Sequence, residues 1–390
     1  MKHTQTPQRA GSDSRQSRRT LLIIFLLAVL ALIVALWAIP MLFMRGPSLA
    51  QFDTDKGERF ASARPPSAEL PAALARVQKI GAAARDVPKA RRVAVMREQI
   101  DLMFAERTPR ATITKLAGGA VAGEWVLAAG ADPARRTLYI HGGAYTVGSP
   151  RSHRTLTERF SELTGGAVLA LDYRLMPEHP RMAGIEDSRA AYRWMLDNGP
   201  AGAGPAQMVF VAGDSAGASL ALSLLAWTRD QGLRAADAAV VLSPPTDSTF
   251  SSPSMSRNAA SDAMLGPAFG IIGKLPQAVT LWGTYLQTGL NPRDPRISPV
   301  FGDLSGLPPT LLHASETEML FDDAVRYTNR ARAAGSPVKL QTWNHTLHVW
   351  HLFNPELPEA REALAEIGKF VDGAIAASKA KRAEKPAASL

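Results

Sequence analysis

No cysteine occurs in the 390 residues, which removes thiol nucleophiles, thiolate metal sites and structural disulfides together. Whatever chemistry the chain performs must therefore run on oxygen and nitrogen groups. Histidine is scarce, with eight in all, and no H-E-x-x-H helix of the zinc-hydrolase kind is present. A basic run interleaved with aromatics is missing as well. Although the formal net charge is +9, seven of those charges belong to the ends: Lys2, Arg9, Arg15, Arg18 and Arg19 against Asp13 in residues 1–20, and Lys379, Lys381, Arg382 and Lys385 against Glu384 near the C-terminus. The body between them is close to neutral, which excludes a nucleic-acid-binding surface. No internal repeat is visible, and 390 residues at 46% hydrophobic content suffice for one large core.

Charge is also absent from one long stretch. Residues 21–44 carry none over 24 positions, enough at 1.5 Å per residue to cross a hydrocarbon core of about 30 Å. The run predicts a transmembrane helix, and it exceeds the roughly 7–15 apolar residues of a signal peptide. The rival reading is secretion after cleavage near Ala50, where Ser48 and Ala50 supply small residues. Basic residues are denser before the run than after it, which predicts a cytoplasmic N-terminus and a catalytic domain on the periplasmic or extracytoplasmic side.

The remainder divides into a basic tail (1–20), the anchor (21–44), a Pro/Gly/Ser-containing linker (45–66), one catalytic domain (67–376) and a disordered basic tail (377–390). Within 67–376, apolar strand-like runs near 137–140, 167–173, 208–212, 238–242, 310–313 and 338–343 alternate with helical patterns near 152–164, 185–198, 216–229, 322–334 and 356–376. Such alternation predicts a doubly wound, mostly parallel α/β sheet covered on both faces. Helical residues in 67–106 and the irregular stretch 247–290 are expected to form a helical cap over the sheet's carboxyl edge.

The chemistry gathers in that frame. GDSAG follows the strand at 208–212 and opens a helix, so Ser215 is expected on a sharp strand-to-helix turn with its hydroxyl exposed. A serine hydroxyl needs a base and an acid to orient it, following in the order serine, acid, histidine. Downstream, SETEMLFDD offers Glu316, Glu318, Asp322 and Asp323, and NHTLHVWH offers His345, His348 and His351. Spacing does not choose among them. Upstream, HGGAY follows a strand, and the backbone amides of Gly142 and Gly143, with that of Ala216 after the serine, suit an oxyanion hole. Asp214 is read as a support of the turn.

In this order, HGGAY, DYRLMPEHP at 172–180, GDSAG, SETEMLFDD and HTLHVW resemble the hormone-sensitive lipase family of α/β hydrolases, over about residues 70–375. The resemblance implies Glu318 as the acid, four residues before the first Asp of the Asp-Asp pair, and His348 as the base. Two departures stand out: many members carry Asp where Glu318 stands, and Ala144 replaces a third Gly. The family's support motif implies that Asp172, Arg174, Glu178 and His179 are supporting or buried ion-pair groups. The reading that follows is a serine carboxylester hydrolase acting on short- to medium-chain esters or lactones without a cofactor or metal. A non-catalytic binding protein on the same fold, an acyltransferase and a histidine metal site at His345, His348 and His351 are the rivals.

Overall fold

The computed structural model describes residues 10–60, 64–116, 119 and 121–383; the ends expected as basic tails lie outside these at 1–9 and 384–390. Nine strands form one sheet: β1 (Glu58–Phe60), β2 (Thr112–Lys115), β3 (Gly123–Leu127), β4 (Asp132–Ile140), β5 (Gly166–Leu171), β6 (Met208–Asp214), β7 (Ala238–Leu242), β8 (Thr310–Ser315) and β9 (Val338–Trp343). Their order across the sheet is β1-β9-β8-β7-β6-β4-β5-β3-β2. Pairing is parallel from β1 through to β5, while β3 runs antiparallel to both its neighbours.

Alternation along each strand splits the core in two. Leu138, Ile140, Leu169, Val209, Val211, Val241 and Leu312 point to one side, where they meet helices Arg181–Asp197, Ala216–Asp230 and Phe321–Ala333. Tyr139, Val168, Phe210, Ala212, Val240 and Trp343 point to the other, against Arg154–Thr164 and Pro358–Ala383. Every residue of β5, β6, β7 and β8 is buried, as a central parallel sheet covered on both faces requires.

Three boundaries differ from expectation. The linker is not structureless: Glu58–Phe60 adds an edge strand beside Val338–Trp343, and Asp53 forms a two-pronged ion pair with the buried Arg326. The basic C-terminal tail begins later than residue 377, because the last helix runs to Ala383 with Ser378 bonded to Asp237. The antiparallel edge at Thr112–Lys115 and Gly123–Leu127 carries no run of apolar residues long enough to have been predicted.

At the N-terminus, helix Ala10–Phe43 contains a 27-residue segment, Ser17–Phe43, whose most apolar 18-residue window has a mean hydropathy of 3.2 and no buried residue. By length and composition that segment suffices to cross a membrane. The stretch 247–290 breaks into short turns of helix and one longer helix, Gln277–Thr288.

Candidate active site

Four loops leave the carboxyl ends of β4, β6, β8 and β9 and meet above the sheet. Ser215 follows β6 directly, with φ +48° and ψ −122°, a region that costs a non-glycine residue about 1–3 kcal/mol. Its N–H is tied to the carbonyl of Leu242 at 2.8 Å, and the helix after it starts so close to β4 that a Cβ on Gly217 would lie 1.9 Å from the carbonyl oxygen of Ile140. Only glycine permits that approach. The hydroxyl Oγ lies 2.8 Å from His348 Nε2.

His348 is 2% exposed, and its Nδ1 lies 2.5 Å from Glu318 Oε2. Glu318 is 1% exposed, and its other oxygen accepts the N–H of Ser315 at 2.8 Å. With Glu318 ionised, Nδ1 carries the proton and Nε2 offers a lone pair to Ser215. Burial pushes the Glu318 carboxyl upward, and the His348 hydrogen bond and charge offset this only in part. For His348 burial acts downward, but the hydrogen bond and charge of Glu318 outweigh it, so its pKa is raised.

The remaining candidates are engaged elsewhere. Glu316 forms a two-pronged pair with Arg59 at 2.7 and 2.5 Å and accepts from Thr342. Asp322 receives the Ser254 N–H, and Asp323 receives the N–H groups of Thr246 and Asp247. His351 meets His313 at 3.0 Å, and His345 turns toward Asn344. The three histidines thus address three different partners.

On the other side of Ser215 lies the loop after β4. A Cβ on Gly142 would stand 3.0 Å from Ser215 Cβ and 2.2 Å from Asp214 Oδ2, so the loop is pressed against the elbow. Among the described residues, the amides of Gly142, Gly143 and Ala216 donate no hydrogen bond; Ala216 is the first residue of its helix, where the N–H has no intrahelical partner. Ala144 and Tyr145 both have positive φ, +50° and +62°. That strained turn is held from outside: Arg181 lies over the Tyr145 ring at 3.5 Å, and Arg97 reaches the carbonyls of Thr146 and Met176 while pairing with Glu178.

The support motif works differently from its sequence reading. Asp172, Arg174, Glu178 and His179 are exposed, not buried. The buried member is Tyr173, whose hydroxyl donates to the His141 carbonyl at 3.0 Å and whose ring stacks on His141 at 4.4 Å. Asp214 is buried, accepts the Tyr139 hydroxyl at 2.7 Å and faces His153 Nε2 at 3.3 Å. Burial lowers the His153 pKa, yet the Asp214 charge and hydrogen bond win and raise it.

Two residues with no sequence signal brace the acid. Asn258 donates to the carbonyls of Glu316 and Glu318, and the buried Asp262 accepts the Met319 N–H at 2.8 Å. Both come from the irregular stretch after β7, where neither periodicity nor a motif marks them.

A family model described as the α/β hydrolase fold matches residues 137–352. Among curated proteins, an acetyl-hydrolase of Streptomyces hygroscopicus is 42% identical over 248 residues, 64% of this chain and 78% of its own length. An esterase of Acinetobacter venetianus is 33% identical over 70% of this chain and 86% of its own. An esterase structure from the bacterial hormone-sensitive lipase family superposes with a TM-score of 0.68 at 34% identity, covering 80% of this chain and 99% of that one. The chain is an α/β hydrolase of the hormone-sensitive lipase family. Another structure of similar likeness is that of EstE5 soaked with p-nitrophenyl butyrate, with a TM-score of 0.64 at 35% identity over 77% of this chain and 98% of that one. The residues the family model matches, 137–352, include HGGAY, GDSAG and HTLHVW.

Proposed function

We propose that the protein is a serine carboxylester hydrolase working through an acyl-enzyme, with Ser215 as nucleophile, His348 as base and Glu318 as its orienting acid. The observation that carries this reading is the continuous chain Ser215 Oγ, His348 Nε2, His348 Nδ1, Glu318 Oε2 at 2.8 and 2.5 Å. Ser215 Oγ attacks the ester carbonyl carbon as its proton passes to His348 Nε2. The oxyanion that forms is met by the amides of Gly142, Gly143 and Ala216. Collapse breaks the bond to the alkoxy group, which leaves as an alcohol with the proton from His348. Water then gives a proton to His348 and its oxygen to the acyl carbon, releasing the acid and restoring Ser215. Glu318 remains a carboxylate throughout.

The relatives named for acetyl and ester hydrolysis support short- to medium-chain esters or lactones as substrates. Helix Ser17–Phe43 is read as a retained membrane anchor with the N-terminus cytoplasmic, supported by Arg18 and Arg19 at its start and by the apolar length.

The test is the pH profile of p-nitrophenyl butyrate hydrolysis. Catalysis needs His348 neutral, so kcat/KM is expected to fall as pH drops through its ionisation. Because Glu318 raises that pKa, the midpoint is expected above the ordinary value of about 6.5. A rate that holds level from neutrality down to about pH 5 would remove His348 from the role of base.

Gly142→Ala tests the oxyanion loop. The new methyl meets Asp214 Oδ2 at 2.2 Å, so the loop must move away from the elbow and take its amide with it. A loss of about 10²–10³-fold in kcat is expected, with KM changed far less. Equal kcat for variant and wild type would exclude the Gly142 amide from the site.

A further inference from the structure

Apolar exposure is unevenly spread over this molecule. Outside the N-terminal helix, seven large hydrophobic side chains of the described residues are exposed, and six of them, Phe269, Ile271, Leu275, Val279, Tyr285 and Leu286, fall in one stretch of the cap. The stretch is also nearly free of charge: from 263 to 292 the only ionisable group of the Lys, Arg, Asp and Glu types is Lys274. Clustered exposure on that scale marks a surface that something covers.

The N-terminal helix identifies the cover. Pro40 lies inside that helix and has no N–H, so the carbonyl of Leu36, four residues earlier, loses its helical donor. An unmet carbonyl is costly in hydrocarbon. Trp282, on cap helix Gln277–Thr288, supplies the missing donor through Nε1 at 2.8 Å from the Leu36 oxygen. Two helical turns further, Asn291 donates to the carbonyl of Phe43 at 3.0 Å, at the helix end. Pro40 and Met44, four apart on one face, are buried, while residues 21–34 are exposed all round. The cap is thus joined to the apolar helix at a defined height.

With the apolar helix taken as the membrane anchor read above, that height falls at the membrane boundary. Counting about 20 residues of hydrocarbon thickness from Leu21, just after Arg18 and Arg19, the core ends near Pro40. Leu36 lies inside that boundary by one turn, and the cap helix beside it must reach the same depth. Trp282 and Tyr285 have the character of interfacial anchors, and the exposed Lys274 and Arg45 fit the phosphate layer above.

We propose that the cap face formed by Phe269, Ile271, Leu275, Val279 and Leu286 is seated in the acyl and headgroup boundary of the bilayer beside the anchor helix, and that the enzyme takes carboxylic esters dissolved in that bilayer. The substrate half rests on the serine hydrolase reading above. The seating also bears directly on the acid loop, because the same irregular segment contributes Asn258 and Asp262, which hold Glu318 and Met319. Met255 and Met319 pack in one small cluster with the partly buried Leu265 and Ile272 at the base of the cap.

The lack of cysteine makes the test direct. In the full chain reconstituted into vesicles of phosphatidylcholine and phosphatidylglycerol, Ile271→Cys and Leu286→Cys are each labelled with an environment-sensitive fluorophore. Gln231→Cys, exposed after the helix Ala216–Asp230 and so at the far edge of the sheet, is the control. Nitroxide-bearing lipid is expected to quench the two cap labels about threefold more strongly than the control; equal quenching at all three overturns the seating. For the substrate class, Ile271→Ser/Val279→Ser/Leu286→Ser is expected to slow hydrolysis of a long-chain ester held in the same vesicles about tenfold while leaving dissolved p-nitrophenyl acetate unaffected. An unchanged ratio of the two rates overturns the bilayer as substrate source. A wild type that hydrolyses neither ester counts against the serine hydrolase reading alone, since quenching reports seating without turnover.

Discussion

Ser215→Ala is expected to abolish covalent labelling by a fluorophosphonate and to lower ester hydrolysis on the order of 10⁶-fold. The size of the effect follows from the division of labour in the site. A fluorophosphonate is attacked at phosphorus by an activated hydroxyl, which expels fluoride. Once Oγ is gone, the proton acceptor at His348 Nε2 has nothing to activate at that position, although the unused amides of Gly142, Gly143 and Ala216 still meet a carbonyl. What remains is the modest acceleration of an oxyanion hole acting on water. The fold has little at stake, because the Ser215 side chain makes its one hydrogen bond to His348 and alanine meets the same +48° φ that serine does. Stability is therefore expected to change by no more than about 1 kcal/mol, which a thermal melt checks. Labelling that persists in the folded variant would mean that another nucleophile is at work and would sink the assignment.

The elements most legible in the sequence are those where local pattern and burial agree. Ala238–Leu242 has the bounds its apolar run predicts, because a strand buried on both faces needs an unbroken apolar stretch; Val338–Trp343 also has its expected bounds, although VKLQTW is interrupted by the exposed Lys339. The edge strands were not legible for the converse reason. Glu58–Phe60 is mostly exposed and three residues long, and its place beside β9 depends on a partner 283 positions away, Gln341 opposite Glu58. Among site residues, Ser215, Gly142 and Gly143 stand at strand ends with fixed local spacing, which a motif captures. The choice of Glu318 over Glu316 is instead decided by which way two side chains two residues apart turn, one inward to His348 and one outward to Arg59. Arg97, Asn258 and Asp262 act through backbone atoms of other loops, so their own sequence neighbours hold no trace of the role. In DYRLMPEHP the charged residues attract attention, and Glu178 does support the turn through its pair with Arg97; what the pattern did not show is that Asp172, Arg174, Glu178 and His179 are exposed and that Tyr173 makes the buried contact.

Glu318→Gln is expected to reduce kcat about 10⁴-fold, and Glu316→Gln to leave it nearly unchanged. The amide that replaces Glu318 has one oxygen and one NH₂, and the Ser315 N–H at 2.8 Å requires an acceptor where Oε1 now stands. The oxygen settles there, which turns the NH₂ toward His348 Nδ1. Nδ1 must then accept, the proton moves to Nε2, and the ring presents a donor to Ser215 where a base is needed. Loss of the carboxylate charge also removes the main influence that raises the His348 pKa against burial, so the residual activity is expected to persist to lower pH than that of the wild type. Glu316 offers the contrast. Its pair with Arg59 joins side chains 13% and 52% exposed, and such solvent-facing pairs contribute about 0–1 kcal/mol to stability, with no path to Ser215. Measured side by side on p-nitrophenyl butyrate, the two variants separate a carboxylate that orients the base from one that ties an edge strand down. A Glu316→Gln enzyme that is dead beside an active Glu318→Gln enzyme would reverse their roles and remove Glu318 from the mechanism.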